Sequence, residues 1–418
     1  MSFIPVELVI QIIEGTYHNS DSTTDLKTLG SCALVCKAWS PIAKRLTFHH
    51  IHVDRKRLPA SGDDDCTRVS ALIRCMTTRP SLGSYVRMLE ISVGRDRLFT
   101  TLPRRLVTFS DFVTLISYCP QLYQLILSVE HRQLQAPALS VLSKTATRLQ
   151  ALDIDTSDAY RDLSCILYQL MSIWPTIRFL RVRAGLSVPP PPTPRPPFTL
   201  HELHLFTPIA PEALGWLLPL SSAAAQSPLR VLGLGAPFAQ LQSDELTTLA
   251  AQARSVRSLR ITREPAPRFL DLFGAVEELV LCQLLLFPRI PALPTSVRHL
   301  GLYSHPVSYA SDLDAELCAA ADALKTLPNL ENVTVNSTIA EVYASRALRL
   351  RCRELGVRFV VDPRDRYDRP VSVPRVAICP QVRVSERLIL PLPKLEYLVP
   401  VVNPPRLLNA ENLLRMNS

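Results

Sequence analysis

The stretch LHELHL (residues 200–205) places apolar side chains at its first, fourth and sixth positions, and the last two alternate with a polar residue as in a half-buried β-strand. The same spacing recurs along the chain in VRMLEI (86–91), LYQLIL (122–127), LQALDI (149–154), IRFLRV (177–182), LRVLGL (229–234), VRSLRI (256–261), VEELVL (276–281), VRHLGL (297–302) and LENVTV (330–335). The pattern therefore predicts a series of short strands.

The segments between these strands have helical periodicity, as in DLSCILYQLMSIW (162–174) and SDELTTLAAQA (243–253). Strand followed by helix, at a period of about 20–36 residues, is the signature of a repeat solenoid. The pattern resembles irregular leucine-rich repeats, a likeness that implies a β/α solenoid with a parallel sheet on its concave face. We assign residues 86–362 to this array, with a Pro-rich surface insertion at 188–198, and we assign residues 363–418 to a Pro-rich tail of undecided structure.

The first residues differ from the repeats. IPVELVIQII (4–13) predicts a helix that is apolar on nearly every face, and DLKTLGSCALVCKAW (25–39) predicts a second helix with Leu26, Leu29, Ala33 and Cys36 on one side. Ser22 followed by Asp25 suggests a capping box, and Ser40-Pro41 suggests the start of a third helix. Three short helices make a small core, so the remaining apolar surface must contact either a partner or the following domain.

These residues resemble an F-box, through the Pro-x-Glu-Leu start, Asp-Leu at the second helix and Val-Cys-Lys-x-Trp at its end. The resemblance covers residues 1–53 and implies a three-helix module that docks the Skp-type adaptor of a cullin–RING ubiquitin ligase. Residues 54–85 then form a connecting helix or linker. The adaptor-binding residues that the resemblance implies are Ile4, Pro5, Leu8, Ile12, Leu26, Leu29, Val35 and Trp39.

Composition argues against several classes of protein. The net charge of +9 is spread over 418 residues, which argues for solubility rather than a nucleic-acid surface. The N-terminus lacks a basic signal-peptide region and no apolar run reaches the length of a membrane span. The ten cysteines form no C-x-x-C pair, and we interpret them as buried thiols of a reducing compartment. HHIH (49–52) offers histidine ligands without a second pair close in sequence, so we expect no metal and no cofactor.

Strand alternation also predicts which side chains lie on the open face of the sheet. Asp153 and Asp155 on one strand should pair with Arg181 and Arg183 on the next, which would neutralise those arginines. The less compensated residues, Phe206, Arg260, His299 and Tyr303, with Phe179 at the edge, are the candidate target-binding residues.

No nucleophile-elbow, P-loop, zinc-protease or dinucleotide motif occurs, so we expect no catalysis by the chain itself. The sequence favours a non-catalytic substrate receptor of an SCF-type ubiquitin ligase, located in the cytoplasm or nucleus. It would bind the adaptor, through that adaptor the cullin and RING subunits, and an unknown target protein. The alternatives are a repeat scaffold outside any ligase and, less favoured, a basic nucleic-acid binder.

Overall fold

The computed structural model describes most of the chain between Asp25 and Asp362, together with Ile13. The described ranges are 13, 25–53, 65–94, 107–130, 133–145, 148–156, 162–207, 209–218, 229–235, 243–262, 269–282, 293–304 and 310–362. The predicted adaptor contacts Ile4, Pro5, Leu8 and Ile12, and the Pro-rich tail 363–418, lie outside them.

In the described part of the chain, twelve short strands form one sheet and follow one another in sequence order. They are β1 (His50–Val53), β2 (Met88–Val93), β3 (Gln124–Val129), β4 (Ala151–Asp155), β5 (Phe179–Val182), β6 (Glu202–Leu205), β7 (Val231–Leu234), β8 (Ser258–Ile261), β9 (Glu278–Leu281), β10 (His299–Leu302), β11 (Asn332–Asn336) and β12 (Arg358–Asp362). Every described pairing is parallel. Each of the ten strands predicted from the apolar spacing is confirmed, and β1 and β12 are strands that the motif does not mark.

Helices occupy the segments between strands. They are α1 (Leu26–Val35), α2 (Trp39–Thr47), α3 (Asp65–Thr78), α4 (Pro80–Gly83), α5 (Phe109–Ser117), α6 (Ala136–Lys144), α7 (Ser164–Ile173), α8 (Pro211–Leu217), α9 (Ser243–Ala253), α10 (Ala310–Ala323), α11 (Ser337–Glu341) and α12 (Ser345–Glu354), with 3₁₀ turns at Leu270–Phe273 and Leu324–Thr326. None of these helices is long and apolar enough to cross a membrane.

The chain divides into two compact units. The first contains the described residues up to Leu127 and those of 136–149, and the second contains 128–135 and the described residues from 150 onward. In the second unit, alternate apolar residues of β4 to β11 are buried, as Leu152, Leu203 and Leu259 illustrate. The alternation of buried apolar residues predicted from the sequence therefore accounts for the core of this unit.

Local signals explain how several helices begin and end. Thr108 and Asp111 form a reciprocal capping box at the start of α5. At the end of α12, Gly356 adopts a φ of 69°, and the N–H of Val357 donates to the carbonyl of Cys352 at 2.8 Å. This left-handed C-terminal cap turns the chain directly into β12.

The first two described helices differ in detail from the prediction. Asp25 itself is the N-cap of α1, because its carboxylate accepts the N–H of Thr28 at 2.9 Å and also its hydroxyl. The helix ends at Val35, where Cys36 is extended, and α2 already begins at Trp39 rather than at Pro41. The predicted helix boundaries in this segment were therefore wrong by several residues.

The Pro-rich insertion 188–198 has no helix or strand. Its Arg195 lies 3.9 Å above the ring of the buried Phe198 and donates hydrogen bonds to the carbonyls of Trp216 and Leu217. Phe198 in turn packs against Trp216, with ring centroids 5.0 Å apart. The insertion is thus a largely exposed loop that is attached at its C-terminal end by one arginine and one aromatic residue.

Candidate functional site

The helical pair, α1 and α2, forms a small core of its own. The buried residues are Ile13, Leu29, Cys32, Ala43 and Leu46, with Ala33, Trp39 and Ile42 packed against them. The core side of α1 is thus Leu29 and Cys32, whereas Leu26 and Cys36, which we expected on the same side, are exposed.

Other positions of α1 expose large apolar side chains. Leu26 is 49% exposed, Leu34 is 63% and Val35 is 60%. Leu26, Gly30 and Leu34 are spaced four residues apart, so they lie along one row of the helix. A Cβ placed on Gly30 would meet no atom within 4 Å, which leaves open space in the middle of this row.

The structure therefore separates the predicted adaptor contacts that it describes. Leu26 and Val35 offer surface, Trp39 is half-buried, and Leu29 is fully buried in the core of the helical pair. Leu34 was missed by the sequence reasoning. The signal that marks Leu34 is a leucine, a glycine and a second leucine at intervals of four residues.

A second candidate region lies in the second unit, where the strand register aligns polar side chains along one side of the sheet. Asp153 lies opposite Arg181, which lies opposite His204, and the row continues through Gly233 to Arg260. We call this region the polar sheet face. It comprises Asp153, Arg181, Arg183, Glu202, His204, Ser258, Arg260, Glu278 and His299.

The charges of the polar sheet face pair with one another. The Arg183 guanidinium donates to both carboxylate oxygens of Asp153 at 3.2 and 3.3 Å, as expected of neutralised neighbours. We had expected Arg181 to pair with one of the aspartates. Instead, it donates to Glu202 on the strand at its other side, β6, at 3.0 Å. The two arginines are thus neutralised as predicted. Their ion pairs, however, are offset from the predicted ones and include Glu202 on a third strand.

Glu202 and His204 form a buried pair of this face, with His204 Nε2 2.8 Å from Glu202 Oε1. Burial alone would raise the pKa of Glu202, but the hydrogen bond from His204 and the positive charge of Arg181 hold it well below its usual range. Burial lowers the pKa of His204 to about 4, although Glu202 opposes that shift. At neutral pH the carboxylate is ionised and the imidazole is neutral, so Nε2 carries the proton that it donates to Glu202.

Two glycines make room for these side chains. A Cβ on Gly233 would lie 2.1 Å from His204 Nδ1, and a Cβ on Gly235 would lie 2.5 Å from the Phe206 backbone. The hollow that they leave is lined by His204, Phe206 and Arg260, among others. The width of the hollow thus depends on Gly233 and Gly235 having no side chain. Apolar periodicity in the sequence gives no sign of this hollow.

Most candidate target-binding residues lie on this face but present little surface. Phe179, Arg260, His299 and Tyr303 are buried, and Phe206 is half-buried beneath the Arg183 guanidinium, 5.0 Å from its ring centroid. His299 is 2.8 Å from the Thr334 hydroxyl, and Tyr303 donates to Asp362 at 3.4 Å. Target binding through these residues stays a prediction; His299 Nε2 and the Tyr303 hydroxyl are engaged within the sheet.

The first unit contains a cluster that the sequence reasoning did not assemble. His50 and His52 on β1 contact Glu90 on β2, with His52 Nδ1 2.7 Å and His50 Nε2 3.8 Å from Glu90 Oε2. Burial alone would raise the pKa of Glu90, but its contact with His52 and the nearby His50 imidazole lower it to about 2. We call these three residues the histidine–glutamate cluster. The H-x-H alternation in HHIH, beside a glutamate in the next repeat strand, is the signal that marks it.

Comparisons with known proteins add little to this description. No family model matches the chain, and no curated protein matches it either. Among solved structures, a crystal structure of a Bacteroides fragilis protein is similar over 72% of this chain and 83% of its own, with 12% identity and a TM-score of 0.34. A likeness this distant supports no inference about function.

Proposed function

We propose that the protein is a substrate-receptor subunit of an SCF-type ubiquitin ligase, and that the helical pair docks the Skp-type adaptor. The observation that carries the proposal is the exposed row of Leu26 and Leu34 on α1, with Val35 exposed near it. Exposed leucines on a short helix with a completed core on its other side are typical of a binding surface.

The row is suited to receive an apolar groove or helix of the adaptor. Gly30 lies between the two leucines, where the lack of a side chain allows a partner backbone to approach closely. Each leucine, if buried in the complex, would contribute part of the roughly 1.5–3 kcal/mol that a fully exposed leucine gains, since 49% of Leu26 and 63% of Leu34 are still exposed. This agrees with the resemblance of the segment to an F-box.

The repeats would then present a target protein to the ligase. The gain in rate would come from proximity, because a target lysine is held near the ubiquitin-loaded carrier rather than meeting it by diffusion. The chain needs no catalytic residue for this role. Residence in the cytoplasm or nucleus, where such ligases operate, is part of the proposal.

The proposal is tested by co-purification of the full chain with the adaptor, cullin and RING subunits. The test variant is Leu26→Asp with Leu34→Asp, because a carboxylate in an apolar interface loses hydration without gaining a partner. Leu350→Asp is the matched control, since Leu350 is a leucine of the second unit with a comparable exposed fraction of 58%.

We expect the wild-type chain and the Leu350 variant to retain all three subunits and the double variant to lose them. Failure of the folded wild-type chain to retain the adaptor would contradict the proposal. In that case a repeat scaffold outside any ligase would be the better interpretation.

A further inference from the structure

We propose that the histidine–glutamate cluster is a binding site for a divalent transition metal ion, with Zn²⁺ as the reference ligand. The site goes beyond the docking function and does not depend on it. Its ligands would be His50 and His52 from β1 and Glu90 from β2.

The sheet geometry brings the three side chains together. Residues two apart on a strand lie on the same face, so His50 and His52 both lie on one side of β1. The parallel register pairs His52 with Glu90 on the neighbouring strand. β1 is the terminal strand in the order of the sheet, which places the cluster at a sheet edge.

The donor atoms are already close enough for one ion to reach all of them. One nitrogen of each imidazole and a carboxylate oxygen lie within 4.8 Å of one another. Zn²⁺ bonds of about 2.0–2.2 Å hold tetrahedral ligands about 3.3–3.6 Å apart. Small rotations of the side chains, which would open the His52–Glu90 contact and close the others, therefore suffice.

The donor set and its exposure define the kind of site. Two imidazoles with one carboxylate are a common protein ligand set for Zn²⁺ that leaves a coordination position open. The side chains of His50, His52 and Glu90 are 25%, 32% and 36% exposed, so water can complete the coordination. Such an ion would join β1 to β2, and hence the strand that follows the helical pair to the first repeat strand.

The competing interpretation is a hydrogen-bonded cluster that stabilises the two strands without a metal. The experiment measures binding of Zn²⁺ to the chelator-treated full chain by competition with a chromophoric chelator, and then records the absorption spectrum with Co²⁺. We expect one high-affinity ion per chain and a Co²⁺ spectrum without thiolate charge-transfer bands.

Glu90→Gln removes the anionic ligand but keeps a side chain of the same shape, and His52→Ala removes one imidazole. Each should weaken Zn²⁺ binding by more than the roughly 10–100-fold that loss of an outer-shell partner costs. Using both variants guards against a folding defect in either, and circular dichroism of the metal-free proteins checks their fold.

Two controls should leave binding unchanged. His201→Ala removes a histidine that is also half-buried but has Arg178 and Arg230 nearby. A Cys36→Ser, Cys165→Ser and Cys318→Ser variant removes the thiols that are exposed in the described part of the chain. Equal affinity in wild type and both folded ligand variants, or loss of binding in the cysteine variant, would overturn the proposal.

Discussion

The helical pair and the polar sheet face differ in which side chains they expose to water. On α1, Leu34 and Val35 are largely exposed to water, whereas in the second unit Glu202, Arg260 and Glu278 are nearly removed from it. Substitution of the exposed leucine or valine should remove few internal contacts. Each buried charge, in contrast, depends on the oppositely charged group beside it. The exposed apolar residues are the basis of the proposed docking surface, whereas the buried ion pairs satisfy one another within the sheet.

The largest effect on stability should come from breaking the charge balance of the polar sheet face. Glu202→Gln leaves the largely buried Arg181 without its carboxylate at 3.0 Å and also removes a negative charge that favours ionised Arg260. We expect a loss of about 3–5 kcal/mol in the free energy of unfolding, measured by urea unfolding of the full chain.

The matched control is Glu277→Gln, one residue before the buried Glu278. Glu277 lies 3.7 Å from Arg257 with both side chains about half exposed, so its loss should cost about 1 kcal/mol or less. Similar losses for Glu202→Gln and Glu277→Gln would show that the buried charges are not mutually dependent.

A smaller effect is expected from filling the hollow of the same face. In Gly233→Ala the new methyl group would have to displace the His204 ring from its contact with Glu202. Overpacking of this kind costs about 1–3 kcal/mol. Gly185→Ala is the control, because its Cβ would meet nothing within 4 Å; an unfolding free energy lowered equally by both substitutions would contradict the role assigned to Gly233.

The Glu202–His204 pair also predicts a dependence of stability on pH. The pKa of His204 is about 4 in the folded chain and 6.5 when unperturbed, so the unfolded state takes up a proton first as the pH falls. This contribution to stability is fully present above about pH 6.5 and is lost progressively towards pH 4.

Over this pH window, we expect the His204→Gln variant to lose less unfolding free energy than the wild-type chain, by on the order of 1–3 kcal/mol. Urea unfolding of both proteins at several pH values between 7 and 4.5 measures that difference. Parallel curves for the wild-type chain and the variant would mean that His204 is not held neutral by burial.

Much of the fold could be predicted from the sequence, because the apolar spacing of the strands is a local property. Leu203 and Leu205, for example, are apolar and alternate with His204, and this alone indicates a strand with one face in the core. The strand β12 was not marked, because RFVVD has no regular alternation and its apolar residues are only partly buried or exposed.

The candidate sites were harder to predict, since they depend on which residues become neighbours across strands. Arg181 lies between Asp153 and Glu202, and only the observed geometry shows that it pairs with the latter. Glu90 joins the histidines of β1 through the register of β1 and β2, which the H-x-H alternation alone does not fix. On α1, in contrast, the exposed position of Leu34 follows from helix periodicity once Leu29 and Cys32 are known to form the core.

The smallest expected effect on stability, and the most direct test of the docking claim, comes from Leu34→Asp. Because Leu34 is 63% exposed, its substitution should change the free energy of unfolding by no more than about 0.5 kcal/mol. The same substitution should weaken binding of the isolated adaptor, measured by titration calorimetry with the full chain, by at least about tenfold, or about 1.4 kcal/mol. Adaptor affinity unchanged in this folded variant, or lowered equally by Leu350→Asp, would contradict the account.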